Sequence, residues 1–453
     1  MTQNAYADIL RQPFSWIDNS ASLPAMADAI IIGAGVAGVS AALHLTKRGL
    51  RVVLLEKGLV AAEQSSRNWG WVRQQGRDRR ELPLIVRSLA IWEQWQAELD
   101  TDLGFRRTGL ISLTREPAEL ARWQRWAKRG RAAGIDVLEL NGAQAEAALP
   151  SSGAPWIGGL QTPTDARAEP GIAVPALAQA ACRAGTSLHQ QTAVRRLLVE
   201  DGRVVGVETE KGQVRSSRVL LAGGAWSSLF LRQHGISLPQ LNVRATVART
   251  TPAPAIIPGT FCASDFCLRY REDGGFTLTL LEGEQHDIGP DSFRFFRQFF
   301  PLLAKNWRHM HLNALPASYV QQRRWQAMPP TQGETVFERE RIYNPQPDMR
   351  QIDEAMRRFK LGRPELADVQ LAAAWAGRID LTPDLVPVIS AVSALPGLVV
   401  ATGFSGHGFG IGPGAGELAA DLLMQTGPTV DPHEFRLSRF SDGSPMFIDP
   451  DVI

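Results

Sequence analysis

The chain is poor in cysteine: Cys182, Cys262 and Cys267 are the three thiols among 453 residues. Three cysteines make no disulfide framework, and none of their spacings is CxxC, so reduced, buried thiols are expected. The eight histidines show no HExxH or comparable ligand spacing, and no metal is expected. Net charge is also scarce, at +2, with no long basic stripe. That argues against a nucleic-acid partner and against attraction to an acidic one. The N-terminus lacks a charged region followed by an apolar one, so no secretory signal is read and a cytoplasmic location is expected. The longest apolar stretch is broken by glycines and holds Ser40 and His44, so it is not a membrane span. There is no internal repeat and no low-complexity tract. What remains is an ordinary folded composition, 44% hydrophobic and 21% charged, long enough for two structural domains.

The informative stretch is 28–56, DAIIIGAGVAGVSAALHLTKRGLRVVLLE. An apolar run, Ile30 to Ile32, reads as a buried parallel strand. It ends in Gly33-Ala-Gly35-Val-Ala-Gly38, and an apolar helix follows. A second apolar run, Val52 to Leu55, ends in Glu56, 18 residues beyond Gly38. Strand, glycine turn, helix and acidic strand end together form a dinucleotide-binding unit. Gly33 permits the tight turn, Gly35 lets backbone approach a pyrophosphate, and Gly38 lets the helix pack on the strand. The helix N-terminus offers free N–H groups to phosphate, and Glu56 is placed to accept bonds from a ribose diol.

Two later segments bear on which nucleotide is held. Residues 218–227 read RVLLAGGAWS, an apolar strand followed by small residues and Trp226. Residues 399–417 read VVATGFSGHGFGIGPGAGE, a strand, a glycine-rich loop and the start of a helix. Such a loop can lay its backbone against a flat ring. The helix behind it would direct its positive end at that ring, which suits the negative charge of a reduced flavin. No second GxGxxG follows a strand, so no separate nicotinamide domain is expected.

In this order the three motifs resemble the D-amino-acid oxidase superfamily of flavoproteins, from about Asp28 to Phe440. That family includes glycine oxidase, sarcosine oxidase, D-amino-acid dehydrogenase and gamma-glutamylputrescine oxidoreductase. The resemblance implies an α/β protein, with a Rossmann-like FAD-binding domain and an inserted α+β substrate domain on a mostly antiparallel sheet. The FAD-binding domain is assigned to 28–99, 162–234 and 372–425, the substrate domain to 100–161 and 235–371, and a C-terminal tail to 426–453. Within these, 171–185 reads as an apolar helix, 197–209 as a hairpin, 243–249 and 276–281 as strands, and 349–360 as a charged helix.

The resemblance also assigns residues to FAD. Beyond Gly33, Gly35, Gly38 and Glu56 these are Lys57, Ser65, Ser66, Arg67, Asn68, Trp69, Val194, Gly223, Trp226 and Gly377. Gly406, His407, Gly408, Phe409, Gly410, Ile411 and Gly412 are assigned near the ring. In the early loop SSRNWGWVRQQGRDRR, Arg67 suits phosphate, Trp69 and Trp71 a ring wall, and Arg73 the substrate. Arg77, Arg79 and Arg80 are expected to be solvated. Family members that tether FAD do so through a cysteine in the segment matching AAAWAGRIDLTPD or a histidine in the segment matching SSRNWGWV. Neither is present, so FAD is expected to be non-covalent.

The implied reaction is hydride transfer from the carbon beside an amine nitrogen to flavin N5, followed by imine hydrolysis. The substrate would be an amino acid or N-substituted amine. Arg378, in the segment WAGR, is the expected clamp for its carboxylate, because a guanidinium matches a carboxylate with two bonds. The family arginine often follows one residue later, and a structural ion pair of Arg378 with Asp380 or Asp384 is the competing reading. His407 is the other candidate catalytic residue, with loop orientation the favoured role. Tyr270, Tyr319 and Tyr343 are candidate hydroxyl partners. Leu280 to Gly289 holds no lysine of the kind that activates oxygen in sarcosine oxidase, so the acceptor is oxygen or a quinone-type carrier. Two other functions stay open: a flavin-binding assembly protein with little turnover, and a flavoenzyme acting on a modified tRNA base. The basic, aromatic segment 293–310 is read as a helix covering the substrate sheet, with peripheral membrane contact as the alternative. Pro301 is expected to interrupt it.

Overall fold

The computed structural model describes residues 16–263, 266–281, 283–306, 311–314, 316–327 and 333–452. At its centre the strand Ala29–Ile32 is buried along its whole length, flanked in parallel by Val52–Leu55 and Val219–Leu221. Leu398–Thr402 adds in parallel beside Val219–Leu221, and Val388–Ala391 closes that edge antiparallel. Ser187–His189 forms the other edge, completing six strands. Three distant stretches of chain therefore meet in one sheet.

The period-2 alternation of a strand decides which core each residue enters. Ala29 and Ile31 join Val39, Leu43, Leu177 and Leu418 on the helical side. Ile30 and Ile32 join Leu197, Val207 and Val214 of a three-stranded antiparallel ribbon on the other. The helical side holds Val36–Lys47, Pro170–Arg183 and Gly408–Met424. Gly408–Met424 lies so close to Val36–Lys47 that a Cβ on Gly416 would stand 2.5 Å from Ser40 Cβ and 2.6 Å from Ala41 N. Its other flank packs on Leu82–Glu98, where the Gly410 carbonyl accepts bonds from Ser88 Oγ and Trp92 Nε1.

The second layer is a ten-stranded sheet, mostly antiparallel. Its long strand Leu241–Thr250 pairs along one side with Leu371–Leu381, and along the other with Phe276–Thr279 and Gln285–Asp287. The strand bearing WAGR therefore belongs to this sheet, and the third segment expected for the FAD-binding domain begins inside it. Helix Met349–Lys360 covers the sheet through Ile352, Ala355 and Phe359.

Three expectations are corrected. Cys262 and Cys267 sit directly opposite each other in the hairpin Thr260–Ala263/Cys267–Tyr270 and form a disulfide, because that register places residues five apart at one rung. Cys182 is free. Pro301 lies inside the helix Phe296–Asn306, which continues past it, since helices tolerate a proline where neighbouring packing compensates. That helix buries Phe299 and Leu302 and leaves Phe296 and Phe300 exposed. Residues 307–310 of the same expected segment lie outside the described residues. Arg77 and Arg80 are not solvated: Arg77 is 3% exposed, and Arg80 pairs with Asp78 and Asp384. Arg79 is exposed, as expected, and stacks on Phe447.

Candidate functional site

A cavity of about 350 Å³ runs from the glycine turn to the ten-stranded sheet. At its first end Gly33 adopts φ +102°, and its N–H donates to Leu55 O at 2.7 Å. A Cβ on Gly38 would stand 2.0 Å from Gly33 O, so the helix can start there only with glycine. Glu56 is already engaged with backbone. The Ala34 N–H donates to its Oε2 at 2.8 Å and the Gly58 N–H to its Oε1 at 2.7 Å. Burial pushes its carboxyl up. Ser65 reaches the start of the Val36–Lys47 helix, where the Val36 N–H donates to its Oγ at 2.9 Å. Val194 and Gly223 line the same end.

Lys57 and Trp226 are organised by a residue that sequence reasoning missed, Glu63. Lys57 Nζ donates to Glu63 Oε1 at 3.0 Å and lies 4.4 Å from the Trp226 ring centre. Trp226 Nε1–H donates to both Glu63 oxygens at 3.1 Å. Burial alone would raise Glu63, but Lys57 and the Tyr343 N–H bring it below its ordinary value.

Arg67 is buried and ties the early loop to the other layer. Its Nη1 donates to Asn344 Oδ1 at 2.7 Å and to Ala376 O at 2.9 Å. Trp375 Nε1–H donates back to Arg67 O at 3.0 Å. Asn68 shapes the turn, donating to Gln64 O and Ser65 O and accepting from Gly70 N–H. Trp69 and Trp71 meet edge to face, 5.0 Å apart. The Trp69 carbonyl accepts from Arg269 Nε at 2.6 Å, and Arg269 is held by a bidentate pair with Glu169. Burial would raise Glu169, yet Arg269 brings it down to about 2.

At the far end Gly406, His407, Gly408 and Phe409 form the wall. His407 Nδ1 bonds the buried Glu81 carboxylate at 2.9 Å. Burial pushes His407 down. Burial would raise Glu81, but His407, Arg77 and Arg73 hold it below its ordinary value. The imidazole and the carboxylate thus share one buried hydrogen bond through Nδ1. Burial also lowers Arg77, and lowers Arg73 to about 9.

Not every expected residue faces the cavity. Gly410, Ile411 and Gly412 lie inside the Gly408–Met424 helix and pack on helices and on Trp71, not on the cavity. Gly38 and Ser66 stand behind the wall, whereas Gly377 lines it, against Arg67.

Arg378 lines the cavity in an aromatic cage. Its guanidinium carbon lies 3.8 Å from the Tyr343 ring centre, 5.3 Å from Trp325 and 5.6 Å from Trp226. The competing ion pair is not formed. Asp384 is taken by Arg80 and Arg439, while Asp380 accepts from Gln240, Thr402 and the Gly403 N–H. Among the described residues Arg378 has no hydrogen-bond or ion-pair partner. Asp380, read from sequence only as a possible partner of Arg378, is pushed up to about 6 by burial. Glu284 was missed as well. It lines the cavity and is exposed, the surrounding protein raises its carboxyl, and no side-chain partner neutralises it among the described residues. Of the candidate tyrosines Tyr343 cages Arg378, whereas Tyr270 packs on Phe276; neither it nor Tyr319 lines the cavity.

The residues fit a flavin dinucleotide. A glycine turn and helix start stand at one end and a glycine-rich wall at the other. Between them Arg67 Nη2, Trp71 Nε1 and Arg77 Nη1 are buried without hydrogen-bond partners among the described residues, donors of the kind a polar cofactor satisfies.

Comparison with known proteins agrees. Residues 28–422 match the family described as FAD dependent oxidoreductase (DAO). The chain is 28% identical to glycine oxidase of Pseudomonas aeruginosa over 418 residues, covering 89% of this chain and 96% of that protein. It is 24% identical to sarcosine oxidase subunit beta of an Arthrobacter species, covering 92% and 91%. The structure of L-amino acid deaminase from Proteus myxofaciens in complex with anthranilate superposes with a TM-score of 0.88 at 27% identity, covering 95% of this chain and 97% of that one.

Proposed function

The chain belongs to the FAD dependent oxidoreductase family, and from that premise we propose that it oxidises the C–N bond of an amino acid or N-substituted amino acid. It is an FAD-dependent enzyme. The observation that carries the substrate reading is Arg378, a guanidinium without an acidic partner among the described residues, in the same cavity as the dinucleotide turn. A cation kept there by aromatic faces is free to take a substrate carboxylate.

Gly33, Gly35, Ser65 and Glu56 would hold the nucleotide half of FAD, and Gly406 to Phe409 with Trp69 and Trp71 the ring half. When bound, FAD supplies the two-electron acceptor. The residues do the positioning. Arg378 fixes the carboxylate and so aims the neighbouring carbon. Tyr343, Trp325 and Trp226 surround the guanidinium and limit where it can move. Water then hydrolyses the imine, and the electrons pass to oxygen or to a quinone-type carrier. With no cysteine in 372–384 and no histidine in 65–72, FAD is held without a covalent bond.

The test is anaerobic mixing of the purified yellow protein with a panel of amino acids, N-methyl amino acids, simple amines and NADPH. Bleaching by amino acids and not by NADPH is expected. Bleaching by NADPH alone would overturn the reading. Yellow colour left in the pellet after acid precipitation would overturn non-covalent binding.

A further inference from the structure

Arg378 also lines a second, smaller and more polar chamber of about 70 Å³. It shares Arg378, Trp226 and Ala225 with the main cavity. We propose that this chamber binds a second carboxylate of the substrate through Arg244, so that the preferred substrate is a dicarboxylic amino acid.

The register makes the case. Leu241–Thr250 and Leu371–Leu381 pair antiparallel, with Arg244 directly opposite Arg378. Directly paired residues project from the same face of a sheet, with Cβ atoms about 5 Å apart, and like charges in that position are destabilising. A pair of this kind is ordinarily neutralised by a carboxylate. Here neither arginine has an ion pair among the described residues. Arg244 donates from Nη1 to Gln346 O at 3.3 Å and from Nη2 to Gln285 Oε1, both uncharged acceptors. Its Nε is buried with no hydrogen-bond partner among the described residues.

The acids near the chamber are otherwise occupied. Asp291 pairs with Arg232 at 2.7 Å and Arg294 at 3.3 Å, and Asp287 accepts from Asn313 Nδ2 at 3.1 Å. His286 is fixed between Asn242 O and Ser292 Oγ, and burial keeps it neutral. The remaining wall offers the amides of Gln321, Gln322 and Gln326. Two cations on one rung thus face a polar lining in which Asp287, among the described residues, is the one acid not held by a cation, and a further anion completes the arrangement. Because Arg378 also lines the main cavity, one molecule can place its α-carboxylate on Arg378 and a side-chain carboxylate on Arg244.

This inference rests on the amino-acid reading above, and the experiment separates the two. Binding of glutarate, butyrate and inorganic phosphate to the FAD-loaded protein is measured by calorimetry and by tryptophan fluorescence, which Trp226 and Trp325 report. Flavin bleaching by glutamate and by leucine is followed alongside. Glutarate should bind more tightly than butyrate. Arg244→Gln should weaken glutarate about tenfold or more, the loss of one charge-assisted bond, and butyrate far less. Arg244→Lys should recover part of it, which shows that a charge and not the fold is read. The glutamate-to-leucine ratio of bleaching rates should fall with Arg244→Gln. Equal glutarate and butyrate affinity in the parent protein, or equal losses in Arg244→Gln, would overturn the proposal. So would phosphate binding with the same Arg244 dependence and no effect on bleaching, since that marks a free-anion site. Arg244-dependent glutarate binding without bleaching by any amino acid would instead overturn the oxidation reading and leave the second carboxylate site standing.

Discussion

The two ends of the cavity are built by different means. At the nucleotide end the protein approaches with backbone: Gly33 and Gly38 bring carbonyl and helix within the radius of a single methyl group. At the substrate end it approaches with large side chains, Arg378 among Tyr343, Trp325 and Trp226, and Trp69 against Trp71. Backbone recognition suits a cofactor that never changes, because its geometry is fixed by the fold. Side-chain recognition can be altered residue by residue without touching the sheet beneath, which suits a substrate that differs among relatives.

If that contrast holds, the most damaging single change lies at the nucleotide end. Gly38→Val places a branched side chain where even a Cβ would stand 2.0 Å from Gly33 O. Relief requires the helix to move off the central strand. The expected cost exceeds the ~3 kcal/mol of ordinary overpacking, with loss of FAD from the purified protein. Thermal melting and the flavin-to-protein absorbance ratio check it. A stable, yellow Gly38→Val would break the comparison, because the nucleotide end would then tolerate side chains.

The second change attacks the support of the substrate end. Arg269 is 1% exposed, pairs with Glu169 at 2.6 and 3.0 Å, and holds the Trp69 carbonyl. Arg269→Met leaves a buried carboxylate unpaired and should cost about 3–5 kcal/mol. The pH dependence gives an independent check. Glu169 falls from 4.5 to about 2 on folding, so its contribution is fully present above about pH 4.5 and is lost as pH falls through about 2. Arg269→Met should flatten stability across that window. An unchanged acid profile would show that the pair does not lower Glu169.

Third in size is the substrate contact. Arg378→Gln should raise KM for carboxylate-bearing substrates, with a loss of about 1.5–3 kcal/mol in kcat/KM. Amines without a carboxylate should change little. Equal losses for both kinds would make Arg378 a structural member of its aromatic cage and move carboxylate recognition elsewhere.

The same contrast explains what could be read from the sequence. The nucleotide end is contiguous in the chain and obeys rules about glycine, so 28–56 and 399–417 announced themselves. The substrate end depends on pairings between residues far apart. Arg244 meets Arg378 and Gln285 only once three strands are in register, and no local pattern encodes that register. Glu63 and Glu81 escaped notice for a related reason, since a lone carboxylate carries no motif until its partners are in place. The glycines at 410 and 412 were legible as glycines but not by purpose. They make room for neighbouring helices, and a loop rich in glycine looks the same in sequence whether a ring or a helix fills the space. Cys262 and Cys267 show the limit of counting: three cysteines imply no framework, yet one hairpin rung pairs two of them.

The smallest expected effect lies where the two means of recognition meet. His407 stands at the start of the Gly408–Met424 helix, so it belongs to the backbone wall, yet it is fixed by a side chain, Glu81, at 2.9 Å. Burial pushes His407 down, while His407, Arg77 and Arg73 hold Glu81 below its ordinary value. Because folding lowers His407 below its ordinary 6.5, its contribution to stability is present above about pH 6.5 and is lost as pH falls. His407→Gln keeps a donor for Glu81 and has no group that titrates in this range. With that bond kept it should cost no more than about 1 kcal/mol, and it should remove that part of the pH slope. Thermal melting at pH 8 and at pH 6 checks both. A loss of several kcal/mol would mean that the imidazole itself, and not a donor alone, holds the wall. No loss at either pH would mean that the glycine backbone holds the wall in place without help from a side chain.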